Sequence, residues 1–369
     1  GPTMTTGSEA SDAPDGLLAP SPDAAPDDAP APSPDDASDD ALARADAAEA
    51  FGEPILGDAH WKSQFTKQEL REILTLDDAR SWRTLAVNWG LVLAAFALVG
   101  WKANPLTILL ALFVIGGRQL GCAIVMHEAA HRSFLSDRVW NDRIGNWLGA
   151  YPIWADVLPY RGYHLVHHAK TGTKEDPDLS LTLPFPITRQ SFLRKVWRDL
   201  SGQTGWQQLV ATFKRDLGIG QRRTQRNQGL APGEKPDVGW HKIAPVVTSN
   251  AVLLAIPAAF GRPELYLLWP IALLTTYRLV LRIRSIAEHA MAGPADDPLR
   301  NTRTTLVAWW ERLFLAPNFV NYHLEHHLLM TVPHYNLPRF HEMLEERGLL
   351  SDACVADSYA QVLRKAVAV

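Results

Sequence analysis

Four stretches of this chain are too long and too apolar to belong to an ordinary water-soluble core. Residues 84–101 carry no charged side chain, and a run of that length matches one membrane crossing of about 17–25 residues. Ala103-Asn104-Pro105 reads as a turn, and the next apolar run, 106–126, is broken only by Arg118 and Gln119. A third run covers 243–261. Arg262-Pro263-Glu264 turns the chain again, and a fourth run starts at Leu265 and stays apolar to Tyr277, ahead of Arg278, Arg282 and Arg284. In hydrocarbon every backbone N–H and C=O must be satisfied within its own segment, so such runs fold as helices. The pattern predicts an all-α chain with four transmembrane helices in two hairpins, spanning about 84–101, 105–128, 243–261 and 264–286.

The remaining residues flank these hairpins. Residues 1–50 hold twelve acidic side chains and one basic, Arg44, among Ala, Pro, Asp and Ser. Such a stretch buries too little apolar surface to offset its ordering entropy, which predicts a disordered acidic tail. It also lacks the basic start and apolar core of a signal peptide. Against an overall charge of -4, the tail's charge of about -11 leaves the body near +7, compatible with an anionic membrane surface. Residues 51–369 read as one membrane domain. Within it, 51–83 form an amphipathic lead-in, 132–242 are polar and contain no span, and 339–347 and 356–366 are short amphipathic helices on the surface. Two cysteines, Cys122 and Cys354, fit neither a disulfide framework nor a thiolate metal site.

Histidine supplies the chemistry. Three clusters, His127-x-x-x-His131, His164-x-x-His167-His168 and His323-x-x-His326-His327, hold eight of the 13 histidines, and His289 follows the fourth apolar run. On a helix, positions i, i+3 and i+4 share a face. A helix from Pro105 to His131 is roughly 40 Å long, so its histidine end projects beyond a hydrocarbon core of about 30 Å. No span separates the first two clusters and two spans separate the second from the third, so all three lie on one side. The far-side turns offer little beyond Lys102 and Arg262, whereas 60–83, 132–242 and 278–347 are rich in Lys and Arg. That makes the histidine side cytoplasmic, under a helical cap that holds a di-metal site. An Ala-, Arg- and Asp-rich composition points to a high-GC bacterium and its inner membrane.

Imidazoles without thiolates suit Fe, Zn, Cu or Ni rather than Ca or Mg. Nine nitrogens exceed what one first-row ion can hold, so His127, His131, His164, His167, His168, His289, His323, His326 and His327 imply two metals. Glu128, Glu288, Glu325, Asp176 and Asp178 stand close enough in sequence to orient imidazoles, and Arg118, Arg278 and Arg282 to pair with those acids or reach headgroups. Trp140, Trp147, Trp154, Trp309 and Trp310 read as interfacial anchors. His60 and His241 read as surface residues, and His334 and His341 lie near the third cluster without joining it.

The HxxxH, HxxHH and HxxHH boxes, in this order, resemble those of the membrane fatty-acid desaturase and hydroxylase superfamily over roughly residues 80–345. Asn321-Tyr322-His323-Leu324-Glu325-His326-His327, followed by Pro333, Tyr335, Asn336, Leu337 and Pro338, is similar to the third-box region of acyl-lipid desaturases, and Asp176-Pro177-Asp178 fits as well. The resemblance implies four spans and two iron ions, with O2 and two electrons used to desaturate an acyl chain. His289 matches an extra histidine of that family. Ser285 stands where stearoyl-type members have an asparagine; with Asn321 it joins the supporting set around the metals. The HxxxH spacing of the first box favours the acyl-lipid and hydroxylase branches. No cytochrome b5-like haem motif is present, so the electrons are expected from a separate ferredoxin, rubredoxin or cytochrome b5 type of donor.

The expected function is desaturation of a fatty acid or membrane lipid, with no nucleic-acid partner. Hydroxylation of a fatty acyl, sphingolipid or carotenoid substrate would use the same ligands. His127-Glu128-Ala129-Ala130-His131 is also a literal HExxH, the zinc-protease signature with glutamate as base, but that reading leaves the two HxxHH boxes unexplained. A metal transporter would place its ligands near the membrane midplane, not beyond the helix ends.

Overall fold

The computed structural model describes residues 59–219 and 236–367. The acidic tail 1–50 lies outside the described residues. Helix α1, Lys67–Leu74, opens on a capping box in which Thr66 and Glu69 satisfy each other's backbone N–H. Helix α2, Asp78–Trp101, is capped by Asp77. Helix α3, Pro105–Ala130, begins at Asn104, whose side chain accepts from the N–H groups of Leu106 and Thr107, with Pro105 in the first turn. Proline there gives up only an N–H that would have no helical partner. Short helix α4, Arg138–Gly145, and α5, Val157–Lys170, follow, with α5 capped by Asp156. Two amphipathic helices, α6 (Arg189–Leu200) and α7 (Gln203–Asp216), come after these among the described residues.

Helix α8, Trp240–Ala259, leads to a 3-10 turn at Pro263–Leu267 and then to α9, Leu268–Leu274, and α10, Thr276–His289. Four helical stretches are long and apolar enough to cross a membrane: Lys67–Trp101, Pro105–Ala130, Trp240–Ala259 and Pro263–His289. They match the four expected runs but start earlier or stop elsewhere, the third ending at Ala259 and the fourth running on to His289. The fourth is interrupted at Thr275, where φ -124° and ψ -89° leave the helical region. Its arginines turn inward. Arg282 makes a two-bonded ion pair with buried Asp199 of α6, and Arg284 pairs with Glu288 one turn on.

Helix α3 is the axis of the molecule. Every residue from Ile115 to Ala130 is buried, because α2, α5, α9 and α10 all pack on this half. Its other end is open, with Leu106, Leu109 and Leu110 exposed. At its inner end Arg161 donates to the carbonyls of Ala129 and Ala130, and Asn141 also reaches that of Ala129. These bonds satisfy carbonyls that have no intrahelical partner. Close approach to α2 requires Gly121, since a Cβ there would lie 2.0 Å from Asn88 Oδ1.

After α10 come strand β1 (Thr304–Thr305), helix α11 (His323–Leu328), helix α12 (Leu337–Glu346), strand β2 (Val355–Ala356) and helix α13 (Tyr359–Ala366). The two strands pair in parallel, Thr304 opposite Val355, and are the one departure from an all-helical fold among the described residues. A second apolar core closes over α11: Trp61, Phe65 and Phe340 pack tilted or edge-on to one another, with Leu324, Leu328 and Leu344 in the same cluster. The C-terminal helices are amphipathic, as expected, each with one face turned into the protein. Phe340, Met343, Leu344, Tyr359 and Val362 are buried.

Candidate metal centre

All nine histidines singled out in the sequence meet where α3, α5, α10 and α11 converge, and they sort into two groups. His127, His131, His164, His168 and His326 form one; His167, His289, His323 and His327 form the other. Within each group one ring nitrogen per residue lies within 4.8 Å of all the rest. The sorting follows from helix geometry. At about 100° per residue, i+4 returns to within about 40° of i, whereas i+3 falls about 60° to the other side. Each HxxHH box therefore divides. His164 and His168 serve the first group and His167 the second, while His323 and His327 serve the second and His326 the first. A box does not aim all its imidazoles at one point, as shared-face reasoning alone implies.

The ring positions fit a metal. Nε2–Nε2 separations are 2.9 Å for His164–His168, 3.0 Å for His168–His326 and 2.8 Å for His289–His323. Two nitrogens about 2.0–2.1 Å from one ion and at a right angle are separated by about 3 Å. Both ring nitrogens of His127 and His131, Nδ1 of His326 and Nε2 of His327 are buried without a hydrogen-bond partner. A buried polar atom left unpaired costs about 1–3 kcal/mol, and a bound ion removes that cost for a nitrogen facing it. Burial also holds His131, His164, His168, His323, His326 and His327 well below the ordinary imidazole value, so their lone pairs are free for a metal. These donors suit a first-row transition metal.

Around the groups lies a layer of orienting contacts. Burial pulls His167 down, but its hydrogen bond to Asp176, with the charges of Asp178, Asp176 and Glu288, raises it overall. Asp176 accepts from His167 Nδ1 at 2.8 Å, which leaves Nε2 for the second group. Asp178 lies 3.6 Å from the same nitrogen and also accepts from the Tyr163 hydroxyl. Glu288 stands 3.5 Å from His323 while held by Arg284. Glu325 bonds Thr304 and His341, and Asn321 donates to the carbonyl of Thr305. Ser285 makes no hydrogen bond to either group. Of the arginines, for which those acids or lipid headgroups were the expected partners, Arg118 donates to the carbonyls of Arg312 and Leu313, Arg278 lies over the Tyr277 ring, and Arg282 pairs with Asp199.

Some supporting residues escaped the sequence reading. His334 is no ligand; its N–H and Nδ1 engage Glu128 at 2.8 and 3.2 Å, and its Nε2 meets Thr84. Tyr160 stacks on His164 at 5.0 Å, one helical turn away, and Thr171 approaches His327 Nδ1. The i, i+4 spacing of Tyr160 and His164 was visible in the sequence, whereas the long-range contacts of His334 and Thr171 were not. His241 is exposed and pairs with Asp237, and the side chain of His60 lies outside the described residues. Trp140, Trp147, Trp309 and Trp310 are exposed, while Trp154 is half-buried.

A sequence model for the fatty acid desaturase domain matches residues 101–354, which contain every histidine of both groups. The chain belongs to the fatty acid desaturase family. Individual desaturases are similar to it at low identity. Dihydrorhizobitoxine desaturase of Bradyrhizobium elkanii is 28% identical over 65% of this chain and 67% of its own length. The chloroplastic omega-6 fatty acid desaturase of Brassica napus is 24% identical over 75% of this chain, which spans 62% of that relative. The sn-1 acyl-lipid omega-3 desaturase (ferredoxin) of Synechocystis sp. is 24% identical over 76% of this chain and 80% of its own. With four apolar helices of spanning length, this desaturase-family chain is an integral membrane protein.

Proposed function

We propose that this chain is a membrane-bound di-iron desaturase acting on an acyl chain of a fatty acid or lipid. The observation that carries the reading is the convergence of nine histidines into groups of five and four. Two iron ions held there would supply the redox chemistry by which O2, two electrons and two protons convert a CH2–CH2 unit into CH=CH with release of two waters. The residues do the rest. Asp176 keeps the His167 proton on Nδ1, and Glu288 and Glu325 brace the helices that carry His289, His323 and His326. A small pocket brings Ile124, Val320 and Leu337 beside His127, His323 and His326, which places apolar side chains next to the imidazoles where an acyl chain would approach.

In this reading the four spans form two hairpins, residues 51–369 are one domain, and both histidine groups lie on the cytoplasmic side of a bacterial inner membrane. A ferredoxin-type carrier delivers the electrons, in line with the ferredoxin in the name of the Synechocystis relative. The protease alternative is disfavoured by Glu128, whose carboxylate is engaged by His334 rather than open to a water. The test is a mass-spectrometric lipid profile of cells expressing the chain with an electron donor, beside His326→Ala. Lipids lacking two hydrogens only with the unaltered chain support desaturation. A gain of one oxygen moves the assignment to hydroxylation, and no lipid change refutes both.

A further inference from the structure

Between β1 and the third histidine box the chain makes a loop that is out of place for a water-exposed connection. Its neck is closed where the Thr305 N–H donates to the Asn321 carbonyl and Asn321 Nδ2 returns a bond to the Thr305 carbonyl. From that neck, at the level of the histidines, the loop runs down α3. Arg118 Nη2 donates to the carbonyls of Arg312 and Leu313 at 2.8 and 2.7 Å, and Asn318 donates to the Gly121 carbonyl at 3.2 Å. Gly117 makes the approach feasible, since a Cβ there would lie 2.6 Å from the Leu313 carbonyl oxygen.

Depth follows from helix rise. Gly117 lies ten residues before His127, about 15 Å along α3, and Gly121 about 9 Å. A hydrocarbon core of about 30 Å counted from Leu106 reaches roughly residue 125. Both contacts therefore fall inside it. Backbone that departs from a continuous helix at that depth survives only where its polar groups are satisfied by protein, and this loop, with one helical turn at Glu311–Phe314 and a 3-10 turn at Pro317–Phe319, satisfies several of them within itself. Glu311 accepts from Ala308 N–H through its carboxylate, its carbonyl accepts from Leu315 and Ala316, and Pro317 and Phe319 accept from Val320 and Tyr322. The charged side chains turn inward, with Glu311 buried and the Arg312 guanidinium over the Phe319 ring. The outward face is apolar: Leu306 and Trp310 are exposed, and Trp309 is 82% exposed.

We propose that residues 306–320 form a re-entrant loop inserted into the histidine-side leaflet, its outer face of Leu306, Trp309 and Trp310 covered by lipid hydrocarbon. Its inner face, Asn318 and Val320, walls the pocket beside His127, His323 and His326. The loop is thus the partition an acyl chain passes on its way from the bilayer to the histidines. The inference rests on the reading that α3 crosses the membrane.

The test places an environment-sensitive fluorophore on a single cysteine of the full chain in phosphatidylcholine vesicles. Trp309→Cys is compared with Leu109→Cys, which is exposed on α3, in a Cys354→Ser background. Cys122 is buried and stays in place. Quenchers are doxyl groups at acyl carbon 5 or 12, and aqueous iodide. Quenching of both labels by doxyl lipid and not by iodide supports the loop. A Leu109 label quenched by doxyl with a Trp309 label quenched by iodide overturns the loop and leaves the spans standing. If neither responds to doxyl lipid, the membrane reading falls and the loop with it. Gly117→Leu is the second variant: forcing Leu313 away should expose the Trp309 label to iodide and lower desaturation at least tenfold with metal content unchanged. Wild-type turnover in Gly117→Leu, with the label displaced, would overturn the partition role.

Discussion

Asp176→Ala is expected to weaken one of the two metals and spare the other. The Asp176 carboxylate accepts from His167 Nδ1 at 2.8 Å, from the Gly172 N–H at 2.8 Å and from the Asp178 N–H at 2.9 Å. It therefore fixes both the imidazole and the turn after α5. A hydrogen bond to a charged group contributes about 1.5–3 kcal/mol, and loss of a partner behind a ligating histidine typically reduces metal affinity about 10–100-fold. At about 1.4 kcal/mol per tenfold, the two magnitudes agree. His167 belongs to the group of four, so the loss should fall there. Titrating metal-free protein in detergent with Fe(II) under anaerobic conditions, and counting bound metal, should show one site of unaltered affinity and one weakened 10–100-fold. Asp176→Asn keeps an oxygen for His167 but presents an amide to a backbone N–H, and should lie between. Two sites of wild-type affinity in Asp176→Ala, or equal weakening of both, would refute the assignment of His167 to one group through Asp176.

Other outcomes follow from the surrounding contacts. Arg282→Ala leaves the Asp199 carboxylate buried and unpaired, which should cost about 3–5 kcal/mol and lower the Tm measured in detergent. Gly121→Ala drives a Cβ to within 2.0 Å of Asn88 Oδ1 and should cost about 1–3 kcal/mol. Adding Asn88→Ala should recover part of that in a double-mutant cycle, and strict additivity would contradict the contact. His341 is lowered by burial but raised overall by its hydrogen bond to Glu325. Its folded value is above its unfolded one, so its stabilisation is complete below the ordinary imidazole value of about 6.5 and fades as pH rises through the folded value. The Tm difference between wild type and His341→Ala should shrink over that rise.

The fold was legible where one physical constraint dominates. Uncharged runs of spanning length became helices, and Asn104-Pro105 turned the chain as its capping chemistry dictates. All nine histidines came together, the outcome that box spacing and the expected parity of spans allow. What the sequence withheld was three-dimensional pairing. Nothing local says that Arg118 meets carbonyls of residues 312 and 313, or that Glu128 is engaged by His334, about 200 residues on. The division of each HxxHH box was readable in principle from the 100° helical step, but only once two such helices are known to face each other. The turned-in arginines of α10 illustrate the same limit: charge count alone does not tell an arginine reaching for headgroups from one paired with Asp199.

The exchange of histidines between the two groups has a consequence for how the protein is made. His326 stands with the first group and His167 with the second, so each helix holds a strand of the other's knot. Neither half can be completed while the other is missing its helix, and the last contributor, His327, leaves the ribosome some 200 residues after His127. A chain without α11 therefore lacks three of the nine histidines and completes neither group. Assembly of the site reports that helices α3, α5, α10 and α11 have all found each other.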